Sequence, residues 1–119
     1  VHSDTQASKP VLLLIHGLGL NSLFWTPLVE NLRDDFRCVA IDLPGHGKSR
    51  NVRGDFTMTW YSVMLRRFIK KMNFHDVTLA GHSMGGQISI ITALQARRDH
   101  PSALVREHVA WGLVRHGLV

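Results

Sequence analysis

The sequence predicts an α/β fold, a parallel sheet of three to four strands with helices on both faces. Three observations predict it. Apolar runs and helical patterns alternate along the chain as strand, helix, strand, helix, strand, helix, the order that builds right-handed β-α-β crossovers. The first of these runs, Val11 to Ile15, is continuous rather than alternating, which suits a strand buried on both faces. Glycine-rich segments follow each of the three runs, at the strand ends where such sheets bind their ligands.

The elements follow in order. Residues 1–9 are polar and read as a loose lead-in. Val11-Leu-Leu-Leu-Ile15 is the first strand, bounded by Pro10 and His16-Gly17. Thr26-Pro27 is a helix start, with Thr26 as N-cap and Pro27 in the first helical position. Leu28, Val29 and Leu32 give that helix a short apolar face. Arg37-Cys-Val-Ala-Ile41 is the second strand. Residues 42–54 hold Pro44, Gly45, Gly47 and Gly54 and read as loop. Thr57 or Thr59 caps the next helix, which runs to about residue 72 with Trp60, Met64, Phe68 and Met72 repeating every four positions. Val77-Thr-Leu-Ala80 is the third strand, 81–86 a tight turn, and 87–98 a helix with Ile88, Ile91 and Leu94 or Gln95 on one face.

The chain has 119 residues, 45% of them hydrophobic and 19% charged. That suits a single domain over 1–119, since a chain this size hides roughly two-thirds of its unfolded surface. The composition excludes a disordered tail, a collagen-like repeat and a disulfide scaffold. Cys38 is the single cysteine and cannot form an internal bridge. No apolar run approaches the roughly 20 residues of a membrane span. The net charge of +5 raises nucleic acid as a partner. The densest basic cluster, Arg66, Arg67, Lys70 and Lys71, interleaves with apolar residues at helical spacing and reads as a solvated helix face, with no nucleic-acid motif beside it. The first residue is Val1 and no leader pattern precedes the domain, so the expectation is a processed, trimmed or fragmentary chain with the cytoplasm as default location.

The strongest chemical signal is Gly81-His82-Ser83-Met84-Gly85, a G-x-S-x-G between a strand and a helix. The chain must reverse there in almost no residues, which puts Ser83 in a strained conformation and leaves no room for flanking side chains. With Gly and Ser each near 7% of residues, the pattern arises by chance in roughly 4% of chains this long. The second signal is His16-Gly17-Leu18-Gly19. An acyl-transfer serine needs two N–H donors aimed at the developing oxyanion, and Leu18 and Met84 are the candidates. The third is Asp42-Leu43-Pro44-Gly45-His46-Gly47-Lys48-Ser49, in which Asp42 reads as a residue tying the loop by hydrogen bonds.

These three segments, in this order over residues 10–95, resemble the α/β-hydrolase family. The resemblance implies a partial α/β-hydrolase fold whose strands are the third to sixth of the family's eight, adjacent in the order 4-3-5-6. It implies Ser83 as catalytic nucleophile and Leu18 and Met84 as oxyanion hole. His16, Gly17, Gly19, Gly81, His82, Gly85, Gly86, Asp42, Gly45 and Gly47 become supporting-loop residues. No cofactor and no metal are implied. The substrate would be a small carboxylic ester or related acyl compound. Ser83 stands where dehalogenase relatives carry Asp, which argues against that branch.

The pattern breaks downstream. The family's acid and base follow the nucleophile on later loops, and only 36 residues follow Ser83. Among them Asp99, Glu107, His100, His108 and His116 match no family position and no metal spacing. Residues 96–119 match the family weakly, and a frameshift near residue 95 is the suggested cause. The expectation is a serine hydrolase whose triad acid and base are missing from this chain. The alternative is a non-catalytic fragment or binding module, and a third reading completes the triad from another chain or from the late histidines. A truncated sheet would also leave an exposed edge open to self-association. Leu20, Phe24 and Trp25 are candidates for an apolar pocket wall and equally for core packing.

Overall fold

The computed structural model describes residues 9–99. The expectations for the lead-in and for residues 100–119, including a fourth strand, therefore lie outside the described residues.

Three five-residue strands, β1 (Val11–Ile15), β2 (Arg37–Ile41) and β3 (Val77–Gly81), form a parallel sheet in the order β2-β1-β3. This matches the first three places of the expected order. The register is blunt: Val11 stands beside Arg37 and Val77, and Ile15 beside Ile41 and Gly81. β1 is therefore central, and all five of its residues are buried. Its continuous apolar run is required because both faces are covered.

The faces divide by parity, as side chains alternate along a strand. Val11, Leu13 and Ile15 join Val39, Leu79, Tyr61, Leu65 and Ile88 in one cluster, under α2 (Met58–Lys71) and α3 (Met84–Asp99). Leu12 and Leu14 join Cys38, Ala40 and Val29 in the other, under α1 (Thr26–Leu32). Helices thus lie on both faces.

The helix details depart from the expectations in three places. Thr26 is not the cap of α1; it is already helical at φ −51°, ψ −48°. A 3-10 turn over Ser22–Trp25 precedes α1, and Asn21 caps that turn by accepting from the Leu23 N–H at 2.9 Å. Thr57 does cap α2, accepting from the Trp60 N–H at 3.1 Å. The buried row of α2 is Tyr61, Ser62 and Leu65, however, while Met72 is 45% exposed. Trp60, Met64 and Phe68 flank that row half-buried.

α3 starts at Met84, three residues earlier than expected. It buries Ile88, Ser89, Thr92 and Ala93, and Leu94 is 63% exposed. The hydroxyls of Ser89 and Thr92 donate to the Gly85 and Ile88 carbonyls one turn back, both at 2.7 Å. That internal satisfaction lets two polar residues sit in the core. Residues 42–54 are loop as expected, apart from a 3-10 turn at Gly47–Ser49. No helix among the described residues is long and apolar enough to cross a membrane.

Thr57→Ala removes the one side-chain cap of α2. It is expected to cost about 1 kcal/mol of stability, read from the urea midpoint, whereas Thr26→Ala should cost little. Equal costs at the two positions would contradict the assignment of caps.

Candidate active site

The three loops at the carboxyl ends of the strands converge because β1 lies between β2 and β3. β3 leads into α3 through His82 and Ser83 alone. Such an abrupt reversal demands an unusual conformation, and Ser83 adopts φ +55°. For a residue with a Cβ this left-handed geometry costs roughly 1–2 kcal/mol. The reversal is held by His82 N–H to Ile15 O at 3.0 Å, Gly85 N–H to His82 O at 3.0 Å and Gly86 N–H to Ser83 O at 2.9 Å.

The glycines flanking Ser83 are required by space. A Cβ on Gly81 would collide with the Gly85 and Gly86 backbone, and one on Gly85 would collide with the Ile15 and His16 carbonyls. The N-terminus of α3 is thereby seated directly on the end of β1. Gly17 is equally confined: a Cβ there would lie 3.0 Å from His82 Nδ1 and 3.3 Å from Ser83 Cβ. The β1 exit loop thus runs alongside the serine.

That loop turns immediately. Leu20 N–H donates to Gly17 O at 3.1 Å, and Gly19 takes φ +78° with open space around it. A positive φ at the third position of a four-residue turn is the type II signature. Leu18 stands at the turn's second position and is 74% exposed. Among the described residues the N–H groups of Leu18 and Met84 donate to no backbone carbonyl. Met84 is the first residue of α3, where N–H groups have no intrahelical partner and the helix dipole is positive.

His16 is fully buried. Its Nε2 accepts from the Leu43 N–H at 3.0 Å, and its Nδ1 lies 2.7 Å from Gly17 O. Because Nε2 accepts, the ring proton is on Nδ1, which donates to Gly17. Burial pushes the imidazole below its ordinary value, against the Gly17 bond that raises it. His16 is therefore held neutral, with both nitrogens committed. The His46 ring packs against it at 5.0 Å.

Asp42 closes β2's exit. It accepts from the Ser22 N–H at 2.8 Å and the Lys48 N–H at 3.0 Å, so one carboxylate joins two loops. Burial pushes its pKa up, but the bonds from Lys48 and Ser22 outweigh this and leave it below the ordinary value. Leu43-Pro44-Gly45-His46 is a second type II turn, with His46 N–H to Leu43 O at 2.9 Å and Gly45 at φ +85°. Gly47, at φ +50°, has the Asp42 carboxylate 2.6 Å from where a Cβ would stand. Tyr61 OH donates to Pro44 O at 2.9 Å, tying this loop to α2.

The structure thus brings Ser83, Gly17 and Gly85 together at one strand end, with His16 and the Asp42 loop behind them. Phe24 lies over the His82 ring at 4.6 Å and is 44% exposed, whereas Trp25 packs against the Leu12–Leu14 cluster. The role of Asn21 at the entry to this loop was missed in the sequence, where Thr26-Pro27 drew the capping assignment. No histidine or carboxylate among the described residues hydrogen-bonds the Ser83 hydroxyl. Asp99 ends α3, while His100, Glu107, His108 and His116 lie outside the described residues. No group of three His, Cys, Asp or Glu among the described residues could hold a metal ion. A cavity of about 980 Å³ lies between β2 and α2, lined by Val39, Ile41, Leu65 and Phe68. At one end it reaches Ser22, Asp42, Leu43 and Gly47 of the site's loops, but neither Leu18 nor Ser83 lines it.

Residues 10–106 match the alpha/beta hydrolase fold family. The chain is 38% identical over 88 residues to an uncharacterised protein of Mycobacterium bovis, covering 74% of this chain and 26% of that one. It is 35% identical over 96 residues to the pimeloyl-[acyl-carrier protein] methyl ester esterase of Nitrosomonas europaea, covering 81% of this chain and 36% of the esterase. Among solved structures, E-2-(acetamidomethylene)succinate hydrolase superposes with a TM-score of 0.75 at 30% identity, covering 88% of this chain and 36% of the hydrolase. The chain spans about a quarter to a third of the length of these relatives.

Two outcomes follow from the geometry. Ser83→Gly relieves the left-handed strain and should raise stability by about 1 kcal/mol; a fall in the urea midpoint would contradict it. Asp42→Asn should lower stability by about 2 kcal/mol at pH 7. Because the folded carboxyl sits below its ordinary value of 3.8, its contribution is present above pH 3.8 and is lost as pH falls through the folded value. The gap between wild type and variant should therefore close in acid, and a gap independent of pH would contradict this.

Proposed function

The chain belongs to the α/β-hydrolase fold family, and from that premise we propose that it carries the nucleophile-and-oxyanion portion of a serine hydrolase acting on small carboxylic esters or related acyl compounds. The observation that carries the reading is Ser83 in a left-handed conformation between two sterically required glycines. Such strain clusters at functional sites.

In this reading the Ser83 Oγ attacks the substrate carbonyl carbon, and the hydroxyl proton passes to a base. The carbonyl oxygen becomes an oxyanion and accepts from the N–H groups of Leu18 and Met84. The alcohol leaves with a proton, and water then hydrolyses the acyl-serine. Removing one oxyanion donor from such a site costs about 10²–10³ in rate. His16 is excluded as the base because both of its nitrogens are already bonded. Asp42 is excluded as the acid because its oxygens hold Ser22 and Lys48. The triad acid and base are assigned outside residues 9–99. The methyl ester esterase relative supports an ester as substrate.

A second reading, that this 119-residue chain is a non-catalytic part of the same fold, is favoured by one observation. Ser83 has no base in hydrogen-bond contact among the described residues. An unactivated serine reacts slowly.

A fluorophosphonate probe separates the two, since the Ser83 Oγ–P bond forms as fluoride leaves. The expected result is slow labelling on the peptide containing Ser83 and none in Ser83→Ala. Labelling that survives Ser83→Ala, or falls on other serines alone, would overturn the assignment of the nucleophile. Saturation within seconds would overturn the non-catalytic reading.

A further inference from the structure

We propose that His16 is a proton-operated clamp: while neutral it joins the β1 exit loop to the β2 exit loop and fixes the direction of the Leu18 N–H, and its protonation parts the two loops.

The clamp is built from two bonds on one ring. Nε2 receives the Leu43 N–H at 3.0 Å, across 27 positions of sequence. Nδ1–H donates to Gly17 O at 2.7 Å. The second bond has a consequence through the peptide plane. The Gly17 carbonyl and the Leu18 N–H belong to one planar trans peptide and point in opposite directions. Holding the carbonyl on the imidazole therefore turns the Leu18 N–H away from the ring. The Leu20 N–H grips the same carbonyl at 3.1 Å, so this peptide cannot flip without losing two bonds.

A proton added at Nε2 sets two donors head to head, Nε2–H against the Leu43 N–H. The ring is fully buried, so water does not substitute for the lost acceptor. Leu43 opens the Pro44-Gly45 turn, and the same loop carries Asp42, which holds Ser22. Parting at Leu43 thus loosens the β2 exit loop and the β1 exit loop together.

Among the described residues, three titratable groups lie around the ring. Asp42 on the β2 exit loop favours the charged form and His46 on the same loop opposes it. His82 on the β3–α3 turn lies against the adjoining Gly17. Burial is the largest influence and lowers the value from 6.5. By linkage, the clamp's stabilisation is present above pH 6.5 and is lost as pH falls through the lowered folded value. The effect on an oxyanion donor rests on the proposed role of Leu18; the clamp itself stands on the two bonds, and Ser83 labelling tests the former separately.

The test uses the ¹⁵N-labelled 119-residue chain and follows imidazole nitrogens and backbone amides through an acid titration. At pH 8 the His16 ring is expected as the neutral Nδ1–H form. On acidification it should protonate below the ordinary histidine range. The Leu18 and Leu43 amides should shift with the same midpoint while far-ultraviolet circular dichroism holds. His16→Gln places a non-titrating acceptor near the Nε2 position and should abolish the amide transition. His46→Gln removes the like charge and should move the midpoint upward while leaving the transition in place. An Nε2–H form, amides that ignore His16, a transition surviving His16→Gln, or loss of circular dichroism at the same midpoint would each overturn the proposal. If His16→Gln does not fold, the wild-type and His46→Gln titrations decide the question.

Discussion

One backbone-on-backbone contact governs the site: the first turn of α3 rests directly on the end of β1. A Cβ at Gly85 would collide with the Ile15 and His16 carbonyls, and one at Gly81 would collide with the first turn of α3. From that contact the rest follows. The helix can start only two residues after the strand, so Ser83 must take φ +55°. The N-terminal N–H groups of α3 are brought beside the β1 exit loop, where Gly17 lies against Ser83. A larger residue at either glycine would push helix from strand and separate every group the site brings together.

The surrounding loops are organised to keep that contact from relaxing. Strain at one residue persists only where neighbouring structure over-determines it. Here Asp42 holds the Ser22 segment and the Lys48 turn with one carboxylate, and Tyr61 reaches from α2 to the Pro44 carbonyl. His16 joins the first two strand exits from beneath. Each of these links is a hydrogen bond between one side chain and the backbone of another segment. The side chains of Leu18 and Phe24 are exposed and take no part in these links.

Much of this was legible in the sequence where sterics alone decide. The three apolar runs became the three strands, and the one with no polar residue, β1, is the central strand buried at every position. The G-x-S-x-G between a strand and a helix led directly to its glycine contacts, because no other residue fits there. What was not legible depends on tertiary partners. Thr26-Pro27 carries every local mark of a helix start, yet Asn21 caps a preceding 3-10 turn and carries the chain through. The four-residue spacing of Trp60, Met64 and Phe68 marked a flank of α2, because large apolar side chains reach the core from beside the buried row. Ser89 and Thr92 are buried with their hydroxyls bonded within the helix, which no local pattern in the sequence marks. His16 carried no signal of its bond to Leu43, which joins positions 27 apart.

In the proposed function this apposition aims the Leu18 and Met84 N–H groups at one point beside Ser83. The most direct measurement is amide proton chemical shift in the Ser83 phosphonate adduct against the unmodified chain. The phosphoryl oxygen of the adduct stands where an oxyanion would form. The Leu18 and Met84 amide protons are expected to move downfield together, as each donates a new charge-assisted hydrogen bond. An adduct formed at Ser83 with the Leu18 and Met84 amides unmoved would contradict it.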